Sequence, residues 1–137
     1  MSEGSVWRWM ALPLVVAAVG ALVMALGTGS YLLFLDIACP DQARFEGSCY
    51  SGDLLAVEKA IFLLVAGLTG LAGVLSAYYA APSKRFLAAQ WIAFVLALVA
   101  ALAVLALDWG MWPLLSAFGG GMVLGLVVAK IKQRNSV

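Results

Sequence analysis

Apolar residues run almost without interruption through four stretches of this chain. They extend from Met10 to Leu35, from Ala60 to Ala81, from Phe86 to Leu107 and from Met111 to Ala129. A helix needs about 20 mainly apolar residues to cross a hydrocarbon core of about 30 Å. Each stretch predicts one transmembrane helix, at about 10–35, 60–81, 86–107 and 111–129. Polar residues gather between the stretches, above all in the loop 36–53. The second and third spans are joined through Pro82 to Arg85, and the third and fourth through Asp108 to Gly110. Connections this short put successive helices antiparallel. The pattern predicts an all-α integral membrane protein, one transmembrane domain over 1–137, built as a four-helix antiparallel bundle.

Composition agrees. The chain is 65% hydrophobic and 11% charged, against about 45–50% and about 25% in ordinary soluble domains. Arg8 gives the first stretch a positive flank like that of a signal peptide, but the apolar run is about twice the usual length for one. Ala38-Cys39 looks like the end of a lipobox, yet Asp36 stands where that motif needs an aliphatic residue. The first stretch is therefore expected to stay as a span.

Charge predicts how the chain is oriented, because cytoplasmic flanks are enriched in Lys and Arg. Arg8, Lys84, Arg85, Lys130, Lys132 and Arg134 would lie on one side with Glu3 as the only acid. The other side would carry Asp36, Asp41, Glu46, Asp53, Glu58 and Asp108 against Arg44 and Lys59. Both termini are expected in the cytoplasm, with loop 36–53 periplasmic or extracellular and a bacterial inner (plasma) membrane as the setting. Trp and Tyr collect at membrane interfaces. Trp7, Trp9, Tyr78, Tyr79 and Trp91 fall at predicted inner edges, and Tyr31, Trp109 and Trp112 at predicted outer edges.

The loop holds the only cysteines, Cys39 and Cys49. In an oxidising compartment such a pair normally forms a disulfide, worth roughly 2–3 kcal/mol for a loop of this size. Pro40 and Glu46-Gly47-Ser48 suit a turn between them. Membrane thiol oxidoreductases use a C-x-x-C pair, which this chain lacks. With no histidine and two cysteines, no zinc or histidine-ligated haem site is expected, nor any other cofactor. Four spans with a cysteine pair in the first outer loop are similar to the layout of claudins. Their Trp…Gly-Leu-Trp…Cys…Cys pattern is missing, and only Phe45-Glu46-Gly47-Ser48-Cys49 echoes it, so no family is assigned.

Small residues mark where helices approach each other in lipid. On the second span Ala66, Gly70, Gly73 and Ala77 share one stripe, flanked by Thr69 and Ser76, whose hydroxyls can bond back to their own helix. The third span has Ala89, Ala93, Ala97 and Ala100, and the fourth has Gly119, Gly120 and Gly121 followed by Gly125. Gly27-Thr28-Gly29-Ser30 is the expected kink of the first helix. These faces are expected to pack the bundle and to offer a surplus to a partner, with the triple glycine the leading candidate.

Among the charges, Glu58, Lys59 and Asp108 are candidates for a functional role. The first two lie about 30 Å along the helix from Tyr79, at the outer interface, and point about 100° apart. Gln90 would bond across helices. With no histidine and no carboxylate deep in a span, general acid–base chemistry has no evident actor, and enzyme activity is not expected. No basic domain supports nucleic-acid binding.

The reading that follows is a non-catalytic accessory subunit of a larger inner-membrane complex, whose partners are the lipid bilayer and a larger membrane protein. Two alternatives stay open. One is a small homo-oligomeric transporter or channel for a neutral or apolar solute, lined by Thr28, Ser30, Thr69, Ser76 and Ser116. Small multidrug resistance exporters carry a glutamate within the first span, and this chain has none there. The other is a membrane-embedded immunity or inhibitor protein.

Overall fold

The computed structural model describes residues 3–40, 44–45, 48–49, 52–81, 84–107 and 112–135. Four helices account for nearly all of them: α1 (Glu3–Ala38), α2 (Gly52–Ala80), α3 (Arg85–Leu107) and α4 (Trp112–Asn135). Each is long and apolar enough to cross a membrane. A two-rung antiparallel hairpin lies in the loop between α1 and α2. Its strands are β1 (Arg44–Phe45) and β2 (Ser48–Cys49), with Arg44 opposite Cys49 and Phe45 opposite Ser48. Among the described residues the fold is all-helical but for this ribbon.

The helices outrun the apolar stretches that predict them. α1 has 36 residues, about 54 Å at 1.5 Å per residue, which exceeds the hydrocarbon thickness and is accommodated by tilt or by ends standing in the interface. It continues through Pro13 and through the Gly27–Ser30 segment. In that segment Thr28 Oγ donates to the Met24 carbonyl (2.9 Å) and Ser30 Oγ to the Leu26 carbonyl (2.8 Å), so neither hydroxyl faces lipid unsatisfied. α4 opens with Pro113 in its first turn, where a missing N–H costs nothing. It closes with Lys132 and Arg134, which complement the helix dipole.

The packing is not that of four equivalent neighbours. α2 is the hub: it packs most extensively on α4, next on α1, then on α3, while α3 also meets α4. The α2–α4 pair runs parallel, matching Gly67 with Gly121, Val74 with Gly125 and Tyr79 with Lys132. Antiparallel order holds between consecutive helices, yet the closest pair is the one expected to sit diagonally across a square bundle. The diagonal closes because both helices present glycine at the same depth.

Three apolar clusters pack the helices together. Val74, Tyr78, Ala89, Ala93, Met122 and Ala129 join α2, α3 and α4. Leu12, Ala81 and Ala88 tie the start of α1 to the turn between α2 and α3. Tyr31, Leu35 and Cys39 form the third, at the opposite end of α1. Tyr78 and Tyr31 are both buried within the bundle, 5% and 8% exposed. The α1 face that meets α2 steps by four residues through Gly27, Tyr31 and Leu35, the steeper ridge of a helix surface.

Candidate functional site

The α2–α4 seam is built from backbone. A Cβ on Gly121 would collide with the Gly67 carbonyl and lie 2.8 Å from its carbon, and one on Gly70 would collide with the Phe118 carbonyl and stand 3.2 Å from Met122. A Cβ on Gly125 would stand 3.0 Å from that of Val74. Helices this close gain dispersion contacts along their whole length, which is what holds helices together where no water is available to exclude.

The sequence stripe on α2 divides among neighbours. Gly70 faces α4, Gly73 faces Leu96 of α3, which a Cβ there would approach to 3.0 Å, Ala77 is fully buried and Ala66 lines a cavity. Gly67, absent from the predicted stripe, is the residue that receives Gly121. The signal that would have found it is the Gly67-x-x-Gly70 pair. On α4 the run of three glycines also divides. Gly121 is used inside the bundle, whereas Gly119 and Gly120 have nothing within 4 Å of a Cβ position. Ser116 and Gly120, four residues apart, are both exposed on that outward face. The Ser116 hydroxyl donates to the Pro113 carbonyl at 2.8 Å.

At the hairpin end, Glu58 and Lys59 diverge as their spacing requires. Glu58 is 8% exposed and accepts a 2.9 Å hydrogen bond from the Tyr31 hydroxyl across the α1–α2 interface. The Tyr31 ring also packs on Phe62, centroid to centroid at 4.9 Å. A buried carboxylate is tolerable only with such partners. Lys59 is exposed and borders a hollow with Phe62, Leu63, Pro113 and Leu114. Cys39 is buried beneath this pair, beside Leu35, and is not a free thiol. Cys49 is seen only as the backbone partner of Arg44, and its side chain lies outside the described residues. Asp108 lies outside them altogether.

At the opposite end Lys132 Nζ donates to the Tyr79 hydroxyl at 2.9 Å and stands 5.0 Å from the centre of its ring. Gln90, expected to bond across helices, is exposed instead, in a shallow groove with Leu87, Trp91 and Phe94.

Two further hollows flank α2. A chamber of about 340 Å³ is walled by all four helices, through Met24, Phe62, Ala66, Ala100, Val104 and Leu115 among others. A groove of about 510 Å³ runs between α1 and α2 past Leu26, Ser30, Leu64 and Leu68. Among the described residues no cluster of three metal-ligating side chains occurs.

Comparison with protein-family models, with curated proteins and with solved structures finds no match. Fold and composition define the class: a polytopic α-helical membrane protein with four apolar helices.

Proposed function

We propose that the protein is a non-catalytic accessory subunit of a larger membrane protein complex, which it joins through the outward face of α4. The observation that carries this reading is the unused pair Gly119 and Gly120. Glycine inside a helix is disfavoured by about 1 kcal/mol relative to alanine, and close packing is the usual compensation in lipid. Gly121 and Gly125 have that compensation inside the bundle; Gly119 and Gly120 do not. With Ser116 they form a small-x-x-x-small face aimed at the bilayer, suited to a helix of another protein.

In this reading both termini are cytoplasmic, the membrane is a bacterial inner membrane and the hairpin loop is on the outside. The bias of Lys and Arg toward Arg8, Lys84, Arg85 and the α4 tail supports that orientation. A Cys39–Cys49 disulfide then braces the loop. Its support is that Cys39 is not free and that residue 49 is the other cysteine of the chain.

The test is native mass spectrometry on the endogenous protein extracted in mild detergent, as wild type and as Gly120→Leu. The expected result is a fixed-stoichiometry complex with a larger membrane protein, lost in the variant while its helical circular dichroism is unchanged. A homo-oligomer alone, in both proteins, would overturn the reading and favour solute transport.

A further inference from the structure

We infer that the four-helix chamber is a lipid site, taking one acyl chain of an anionic phospholipid whose headgroup rests on Lys59. The chamber and the Lys59 hollow adjoin, with Phe62 and Leu114 lining both. Together they make a path from a cation at the membrane edge into an apolar interior.

Its dimensions fit one leaflet. On α2 the wall runs from Phe62 to Thr69, so it ends ten residues from Lys59, about 15 Å at 1.5 Å per residue. That is half of a hydrocarbon core of about 30 Å. The volume of about 340 Å³ falls within the roughly 300–1,000 Å³ of ligand sites. The floor is α2, and the chamber stays open because α1 packs closely on α2 and little on α3 or α4. Small side chains, Ala66 on α2 and Ala100 on α3, keep it from filling with protein.

Its chemistry selects the occupant. Water held in a cavity needs two to four polar partners. Among the described residues of the wall the one hydroxyl, Thr69 Oγ, already donates to the Val65 carbonyl at 2.7 Å. A hydrocarbon chain meets no such requirement. At the mouth, Lys59 contributes a positive charge at the surface, while the neighbouring Glu58 is turned away into its bond with Tyr31. A nearby lysine is worth about 1 kcal/mol toward an anionic lipid, which is about fivefold in affinity.

The inference rests on membrane placement and on this geometry, and it is independent of the partner proposed for α4. Full-length protein in mild detergent is titrated with palmitoyl lysophosphatidylglycerol and, separately, with palmitoyl lysophosphatidylcholine, and bound lipid is counted by native mass spectrometry. Wild type is expected to prefer the anionic lipid by about fivefold. Lys59→Gln should remove the preference and keep chain binding, and Ala100→Phe should abolish binding of both. A preference unchanged in Lys59→Gln overturns the headgroup assignment. Should Ala100→Phe fail to fold, photocrosslinking decides on the wild type, using phosphatidylglycerol with a diazirine in one acyl chain. Adducts concentrated on 62–69 and 114–118 are expected. Adducts spread evenly over outward residues such as Leu14 and Leu98, or none because a protein segment fills the chamber in the native complex, overturn the proposal.

Discussion

Adjacent glycines on α4 should respond oppositely to the same methyl group. In Gly121→Ala the new Cβ collides with the Gly67 carbonyl and stands 2.8 Å from its carbon and 3.1 Å from its Cα. Ordinary contact begins near 3.4 Å, so α2 and α4 must separate by at least half an ångström. A gap of about 0.5–1 Å forfeits a quarter to a half of each dispersion well, and each atom pair is worth about 0.1–0.2 kcal/mol. Over a seam of a few tens of pairs, from Gly70 against Met122 to Gly125 against Val74, the loss is about 1–2 kcal/mol. Steric strain adds a contribution in the range of about 1–3 kcal/mol, and the alanine preference of a helix returns about 1 kcal/mol. The net is a destabilisation of about 2 kcal/mol. Gly120→Ala meets nothing within 4 Å and keeps only the propensity gain, at most about 1 kcal/mol. Reversible unfolding in mixed micelles, followed by far-UV circular dichroism, reads both. Equal midpoints for the two variants would refute the parallel glycine seam.

The remaining predictions concern α1 and one turn. Gly27→Leu should drive α1 off α2, since even a Cβ there would lie 2.6 Å from both Val65 methyls; a cysteine crosslink between the two helices should drop while the α2–α4 crosslink persists. Tyr31→Phe removes a donor from a buried carboxylate and should destabilise by about 1.5–3 kcal/mol, measured by the same unfolding assay. Lys84, with φ of 46°, occupies the left-handed region just before α3; Lys84→Gly should raise the unfolding free energy by about 1 kcal/mol, and a loss of stability would count against that turn geometry.

The four helices were legible because length and apolarity alone define a span, and both are read directly from the chain. The faces were harder. In a soluble helix the buried stripe is the apolar one; here Leu26 and Leu33 face outward while Leu12 and Leu35 face inward, and their chemistry is the same. Only small residues carry directional information, and they misled where one stripe serves several neighbours. Ala66, Gly70 and Gly73 share a face by spacing, yet they meet a cavity, α4 and α3 in turn. Gly67 escaped notice because it lies to one side of that stripe, where the parallel α4 arrives. Spacing along α2 puts Glu58 at the outer interface and carries no sign of its burial. Its burial depends on Tyr31 of α1, a partner 27 residues away that spacing along α2 does not reveal.

On the proposed reading the free and the assembled protein should disagree about Gly120. In the isolated bundle nothing approaches this position, and alanine there stabilises by up to about 1 kcal/mol. In the complex a partner helix lies against it, and the same methyl holds two backbones apart, as it does between Gly121 and Gly67. The penalty estimated for that inner seam, about 2 kcal/mol, then appears as weaker association by more than tenfold. A packing defect of the subunit would lower both quantities together. A surface glycine with no partner would raise the first and leave the second alone. Opposite signs in unfolding and in association therefore identify Gly120 as a contact made between proteins, and they do so without the partner's structure.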